Sequence, residues 1–482
     1  MISQTNLTEV VCQVLKVDNI VVNGVFREVW GSNSSRIVID LRPSDEVINT
    51  CPFCGNVCDY YDTPRRYLDF KHWRSLDWGN EIVVLRYKPH RVLCPDHGVV
   101  VAAVPWAYHD CSFTKEFDKQ VTCMATKMSK SAISQLMRMT WDAVGRCITR
   151  VRNDIEPNLS ERLNGLVQIG IDENAYGKGH QKFVMIVVNH LTNEVVWIKE
   201  GRSKEVISTF FEELNEEQKK SIKLVSADGA EWIHDVVHQY CPDAQICLDP
   251  FHLFEWVTKA ENDVRIKTWQ DIQRDIRDLR EQKDDIEEEL KDSNNKDARS
   301  CVKNIEAVIE NLQEIASNIK SSQYLFLTNA ENLTPEEKLK QDILLSMSKV
   351  LQRVHGRIES LKSIMKSDCF EAAKVELKKW IRWTKVSRLE PFKKLGKTME
   401  RFFDITLNTI KYGLSNARVE ANNTKIKSLV RRSYGFRSVE NLKDMVYLCC
   451  STRYLQLPNR GLEPKGTPRW RFTRPKNFLA VS

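Results

Sequence analysis

The chain has 482 residues, 42% of them hydrophobic and 28% charged, with a net charge of +7. That length allows about two to four domains with a sizeable core. No apolar run of about 18 residues is present, which excludes a membrane-spanning helix. The N-terminus has no basic stretch followed by an apolar one, so no signal peptide is expected. Fourteen cysteines are scattered along the chain. Outside one local cluster they show no disulfide spacing, which points to a reducing, cytoplasmic compartment. The positive charge is uneven: residues 425–482 hold thirteen Lys and Arg against three acids, and the rest of the chain is net negative. A basic C-terminal segment suits a polyanionic partner.

Residues 1–45 contain β-rich pieces, such as Asn19 to Val25 and Arg36 to Leu41, and carry no recognisable chemistry. Then come CPFCGNVCDY and CPDHG. Cys51 and Cys54 make a C-x2-C knuckle, and Cys94 and His97 make C-x2-H, each at a tight turn beside Pro and Gly. Four such ligands are what tetrahedral structural Zn²⁺ takes. The gap between the knuckles is too long for a finger and includes a strand-like run, Glu81 to Tyr87, so a zinc ribbon on a β-scaffold is expected. Cys58, His72 and His90 are the alternative ligands.

Residues 113–153 switch to helical periodicity. An apolar helix over Ala132 to Met137 is followed by a break at Arg138 to Thr140. A second helix then has Val144, Ile148 and Val151 on one face. Thr140 is the expected N-cap. The arrangement reads as a helix-turn-helix, whose second helix enters the major groove of DNA. Arg146 and Arg150 are its candidate DNA contacts. The alternative is a plain helical pair.

From Leu166 the pattern becomes α/β. Strands are expected at 167–172, 183–189 and 195–199, then a helix from Lys204 capped by Ser203. A fourth strand, Ile222 to Ala227, runs into Asp228. A helix over Glu231 to Tyr240 and a fifth strand, Ala244 to Leu248, complete the run. Asp172 ends the first strand and Asp228 follows the fourth. The order βββαβαβ with acids in those places matches the ribonuclease-H-like fold, which sets strands one and four side by side. Asp249 and His252 are spaced D-x2-H across the next strand-to-helix turn. A long polar helical region follows, with two apolar-seamed segments forming an antiparallel hairpin. Thr334-Pro335-Glu336-Glu337 opens another helix with a capping box and Pro at its first position. In SNARVEANNTKIKSLV, Glu420 lies on a helix whose apolar face is Val419, Ile426, Leu429 and Val430. Asn416, Glu420, Asn423, Lys427 and Arg431 lie opposite. Lys427 and Arg431 suit a DNA backbone beside a metal-binding acid.

Taken together, CPFCG with CPDHG, the helix-turn-helix stretch, IGIDENAYGKGH, SADGAEW, LDPFHLFEW and SNARVEANNTKIKSLVRRSYGFRS resemble bacterial insertion-sequence transposases of the ISL3 family over essentially the whole chain. The resemblance implies a DDE transposase with Asp172, Asp228 and Glu420 as catalytic triad and a helical insertion before the Glu. It implies catalytic Mg²⁺ or Mn²⁺ and structural Zn²⁺. It also implies action on transposon-end and target DNA, with a homodimer or higher homo-oligomer expected there. Asp249 and His252 match a C/D-x2-H motif carried after the second acid in related transposases, which makes them secondary candidates. The fourth zinc position is often Cys in the family and is His97 here.

The expected organisation is multidomain α/β. Residues 1–110 form the β-rich zinc ribbon and 111–160 the helix-turn-helix. Residues 161–252 and 413–450 form the ribonuclease-H-like core, around an all-α insertion at 253–412. Residues 451–482 form a basic, flexible tail. Two rival readings are a non-catalytic zinc-ribbon regulator on a decayed nuclease fold and a nuclease that hydrolyses without joining.

Overall fold

The structure is a computed structural model that describes residues 4–30, 34–65, 69–177, 182–290, 296–328, 332–414 and 417–451. The expected C-terminal tail from residue 452, together with Ser415 and Asn416, lies outside the described residues. The chain divides into two compact units. One takes residues 1–161, 176–179 and 425–482, and the other takes 162–175 and 180–424. Among the described residues, no helix is long and apolar enough to cross a membrane.

The first unit opens with a helix, α1 (Gln4–Leu15), which the sequence did not lead us to expect. Seven strands follow: β1 (Ile20–Trp30), β2 (Ser34–Pro43), β3 (Asp59–Asp62), β4 (Lys71–Arg74), β5 (Ile82–Tyr87), β6 (Arg91–Cys94) and β7 (Gly98–Val101). They form two sheets, ordered β1-β2-β5-β4 and β3-β6-β7. Val11 and Leu15 of α1 are buried with Val22, Leu41, Trp73, Leu85 and Trp106. Each such side chain contributes about 1.5–3 kcal/mol by leaving water. Trp73 and Trp106 meet edge to face at 5.5 Å.

Three helices come next: α2 (Lys115–Ala125), α3 (Lys130–Leu136) and α4 (Trp141–Ile155). Thr114, Ser129 and Thr140 cap them, each accepting from the backbone N–H three residues on. Each such cap stabilises its helix by about 1 kcal/mol. Phe117, Val121, Ile133, Val144, Ile148 and Val151 are buried. α3 and the start of α4 fall within two residues of the expected helix-turn-helix, α4 runs four residues past the expected end at Val151, and Arg138 in the turn has a φ of 50°.

The second unit is built on a five-stranded mixed sheet. Its strands are β8 (Gln168–Ala175), β9 (Phe183–Asn189), β10 (Glu194–Glu200), β11 (Leu224–Ala227) and β12 (Gln245–Leu248), in the order β10-β9-β8-β11-β12. β8 pairs antiparallel with β9, β9 with β10 likewise, and β11 runs parallel to both β8 and β12. The first and fourth strands of this unit are therefore neighbours, as the element order predicts. β9 and β10 are short runs rich in Val and Ile, the composition that suits a pleated buried surface. Ile169, Ile171, Val187 and Val225 pack with Phe210, Phe211, Ile233 and Val236 of the helices α5 (Lys204–Glu212), α6 (Glu216–Ser221) and α7 (Glu231–Tyr240) on one side of the sheet, α6 adding none of these side chains.

A run of helices follows: α8 (Pro250–Glu289), α9 (Lys296–Ser321), α10 (Gln323–Leu327), α11 (Pro335–Met347), α12 (Lys349–Met365), α13 (Phe370–Lys385), α14 (Glu390–Arg401) and α15 (Phe403–Tyr412). α8 and α9 lie antiparallel. The Arg265 guanidinium donates to the Ile319 carbonyl at 2.8 Å, and Lys283 pairs with Glu306 at 2.8 Å. The capping box at Thr334 is present at α11. Leu253, Val257, Val354, Leu361, Trp380, Phe392 and Met399 form the helical core. The chain returns to the sheet through α16 (Ala417–Arg432), and α17 (Val439–Cys449) belongs to the first unit.

Candidate active site and metal centre

β8 continues three residues beyond Asp172, to Ala175, as a hairpin with β9. The strand was expected to stop at the acid, and the hairpin partner carries it further. Its parallel ladder with β11 ends earlier, with Gly170 opposite Ser226. Asp228 follows the last residue of β11. Asp228 thus lies just past the end of the strand beside β8, near enough for its charge to act on Asp172.

Both Asp172 oxygens are bonded. Oδ1 accepts the Glu173 backbone N–H at 2.7 Å, and Oδ2 accepts the Asn423 side-chain amide at 2.6 Å. Burial pushes the Asp172 carboxyl above its ordinary range, against the pull of these two bonds and of His252, and the Asp228 charge pushes it further up. Asp228 Oδ1 accepts the Ala230 N–H at 3.0 Å, which folds the turn after β11. The Gly229 position must be glycine, because a Cβ there would overlap the Trp256 ring of α8. Gly170 has the same role under α16: a Cβ would overlap Val419, His190 Nε2 and Ser226 Oγ. His190 and Ser226 are buried there and bonded at 2.7 Å, and burial pushes the imidazole down to about 4.

Glu420 is exposed in the first turn of α16, beside Val419, which packs on Gly170. Among the described residues, only one group of three or more metal-binding side chains has its ligand atoms within 4.8 Å of one another, and it is not this one. The ligand atoms of Asp172, Asp228 and Glu420 are therefore not all within 4.8 Å of one another. The α16 side chain that bonds Asp172 is Asn423. Asp249 is buried and caps α8, accepting the Phe251 N–H at 3.1 Å. That bond has the structural character of an Asp-Pro helix start. His252 is half-buried, 3.2 Å from Glu255, and near enough to Asp172 to hold its carboxyl down. Asn423 was legible only as a member of the polar face of its helix, and nothing in the local pattern pointed to Asn174 or to the pair of Glu173 with Arg202 at this site.

In the first unit, Cys51, Cys54, Cys94 and His97 bring their ligand atoms within 4.8 Å of one another. Sγ of Cys54 and Cys94 are 3.6 Å apart. His97 Nδ1 is 3.4 Å from Cys94 and 3.8 Å from Cys51. A tetrahedron with metal–sulfur bonds of ~2.3 Å has edges of about 3.7 Å, so the donors fit one ion. Cys94 ends β6 and His97 lies in the β6–β7 turn. Of the alternatives, His90 is bonded to Asn49 at 2.8 Å, and Cys58 donates to the Asn56 carbonyl at 3.4 Å. His72 lies in β4, in the other sheet of this unit.

On α4, Arg146 is exposed. Arg150 is not: its guanidinium makes two bonds, at 2.6 and 2.9 Å, to Asp118, which is fully buried on α2. Arg150, expected as a DNA contact, is half-buried and pairs within the helical unit. A buried carboxylate needs that cation, and the bidentate fork is used inside the helical unit. Lys427 and Arg431 are exposed on α16.

A helix-turn-helix beside a metal-binding ribbon, on a chain with an acid-bearing mixed sheet, has the parts of a DNA-processing enzyme. A model of the ISL3 transposase type matches residues 169–446. A second, the helix-turn-helix domain of transposase family ISL3, matches residues 102–152. The transposase for insertion sequence element IS1557 of Mycobacterium tuberculosis is 34% identical over 440 residues, 91% of this chain and 94% of that one. The transposase for insertion sequence element IS1001 of Bordetella parapertussis is 24% identical over 86% of this chain and 92% of that one. The chain belongs to the ISL3 family of transposases.

Proposed function

We propose that this transposase cleaves DNA at the terminal inverted repeats of its element and joins the freed 3′-hydroxyls to target DNA. The second unit acts as a ribonuclease-H-like core interrupted by the helical insertion at 253–412. The observation that carries this reading is that Asp172 on β8 and Asp228, just past the end of the neighbouring parallel strand β11, are near enough for their charges to act on one another, with the Glu420 helix bonded to Asp172 through Asn423. Carboxylate oxygens are the donors that Mg²⁺ and Mn²⁺ prefer, so Asp172, Asp228 and Glu420 suit such ions. Held by these acids, such ions would supply activation of the attacking hydroxyl and stabilisation of the leaving oxygen. Asp172 is fixed by its two hydrogen bonds, and His252, near enough to act on the Asp172 charge, is the candidate to meet a scissile phosphate. The reaction is carried out in the cytoplasm by a homodimer or higher homo-oligomer assembled on DNA.

The test uses oligonucleotide ends with Mg²⁺ or Mn²⁺. Pre-cut ends bearing a 3′-hydroxyl are expected to join target DNA. Hydrolysis without joining would leave a nuclease, and end binding without either reaction would leave a regulator.

Cysteine sulfur and histidine nitrogen in a closed set favour zinc at Cys51, Cys54, Cys94 and His97. Metal analysis should find one zinc per chain. Its removal by chelation, or Cys94→Ser, should loosen the first unit and weaken end binding while the second unit's melting is kept. Folded protein without zinc would end this assignment.

Arg146 reads base edges and Lys427 and Arg431 hold phosphates. Arg146→Ala should lower the preference for the element's ends over random DNA, by about 1–3 kcal/mol if a bidentate base contact is lost. Changing Lys427 or Arg431 to Ala should weaken binding to every sequence and flatten its salt dependence. Equal losses on both DNAs for Arg146→Ala would move it to the phosphate class.

A further inference from the structure

We propose that Asn423, braced by Asn174, is a positioning residue that aims the Asp172 carboxylate; this rests on the reading of Asp172 as a metal ligand. The chain of bonds is directional. Asn174 Nδ2 donates to Asn423 Oδ1 at 2.6 Å, and Asn423 Nδ2 donates to Asp172 Oδ2 at 2.6 Å. Asn174 and Asn423 are 2% and 7% exposed, so water does not compete for these groups. A carboxylate only accepts, which fixes which end of the Asn423 amide faces it. The Asn174 donor then fixes the other end.

Two consequences follow for Asp172. Each of its oxygens has about two lone-pair directions. One on each is taken, by Asn423 and by the Glu173 N–H. The carboxylate cannot rotate without breaking both bonds, and one lone pair on each oxygen stays available for a cation. The same bond sets the spacing of α16 from β8. Glu420 lies one turn before Asn423 on that helix, so the bond also fixes how far the third acid stands from the first. Partners of this kind, behind a metal ligand, are worth 10–100-fold in metal affinity or activity.

The test measures Mn²⁺ binding by electron paramagnetic resonance, with the full chain bound to end DNA, alongside single-turnover cleavage. Asn423→Ala is expected to weaken Mn²⁺ binding about 10- to 100-fold and to slow cleavage by a similar factor. End binding should stay within about twofold, since the change removes none of the side chains assigned to DNA contact. Asn423→Asp keeps the shape but replaces the donor with a second carboxylate, so it should be at least as damaging as Ala. A packing role would instead make Asp harmless. In an Asp172→Asn background, Asn423→Ala should cost no further Mn²⁺ affinity.

Wild-type Mn²⁺ affinity in Asn423→Ala or Asn423→Asp overturns the proposal. If both fail to fold, Asn174→Ala decides: it frees the Asn423 amide to rotate, and unchanged Mn²⁺ binding in that variant overturns the proposal equally. Failure of the underlying reading looks different, because there Asp172→Asn itself would keep Mn²⁺ affinity and cleavage.

Discussion

Asp172→Asn, Asp228→Asn and Glu420→Gln should each abolish strand cleavage while leaving end binding within about twofold. Each change removes a negative ligand and keeps the shape of the side chain. Phosphoryl transfer gains several kcal/mol from paired cations that neutralise charge on the attacking and leaving oxygens. At 1.36 kcal/mol per decade, losing ~4 kcal/mol slows cleavage by about 10³-fold. On the proposed reading DNA binding draws on other residues, in the helix-turn-helix and among the exposed cations of α16, so it is expected not to change. Single-turnover cleavage of labelled end DNA, read beside a mobility-shift titration, separates the two effects. Cleavage retained by Glu420→Gln would remove Glu420 from the triad. That residue carries the greatest stake, since it is exposed.

Arg150→Ala should destabilise the first unit severely and spare the chemistry of the second. Asp118 is fully buried, and Arg150 is its bidentate partner at 2.6 and 2.9 Å. Removing one member of a buried ion pair leaves an uncompensated charge and costs about 3–5 kcal/mol. Replacing both residues by apolar ones of similar volume should restore much of the loss, because the buried pair is itself costly to desolvate. The measurement is thermal or urea unfolding followed by a probe in the helix-turn-helix, with Arg146→Ala as the comparison. Arg146 is exposed, so its loss should leave unfolding within about 0.5 kcal/mol of wild type. Equal stability of the Arg150 and Arg146 variants would contradict this account.

The two arginines mark the limit of what the sequence discloses. Both lie on the same helix four residues apart, and periodicity alone treats them alike. Which one is available depends on Asp118, a residue on another helix whose burial no local pattern reveals. The legible features are local. Thr140 and Ser203 cap the helices they precede, Thr334 closes its capping box, and the knuckles at Cys51 and Cys94 lie at turns. The adjacency of β8 and β11 was also legible, because element order restricts how a mixed sheet can be wound. Asn423 could be placed on the polar face of its helix, yet its bond to Asp172 spans the whole helical insertion. α1 was missed because a short, weakly patterned helix takes its stability from packing on a sheet rather than from its own sequence.

The position of α16 also has a consequence in time. Val419 covers Gly170 and Asn423 bonds Asp172, but these residues are made long after the strand they cover. Roughly 190 residues separate Asp228 from Glu420. At about 5–20 residues per second, the ribosome takes some ten to forty seconds to bridge them. Through that interval the nascent sheet carries its first two acids with the third still unsynthesised. If Glu420 is the third acid of the proposed site, a chain truncated within the insertion lacks it and is expected not to cleave end DNA.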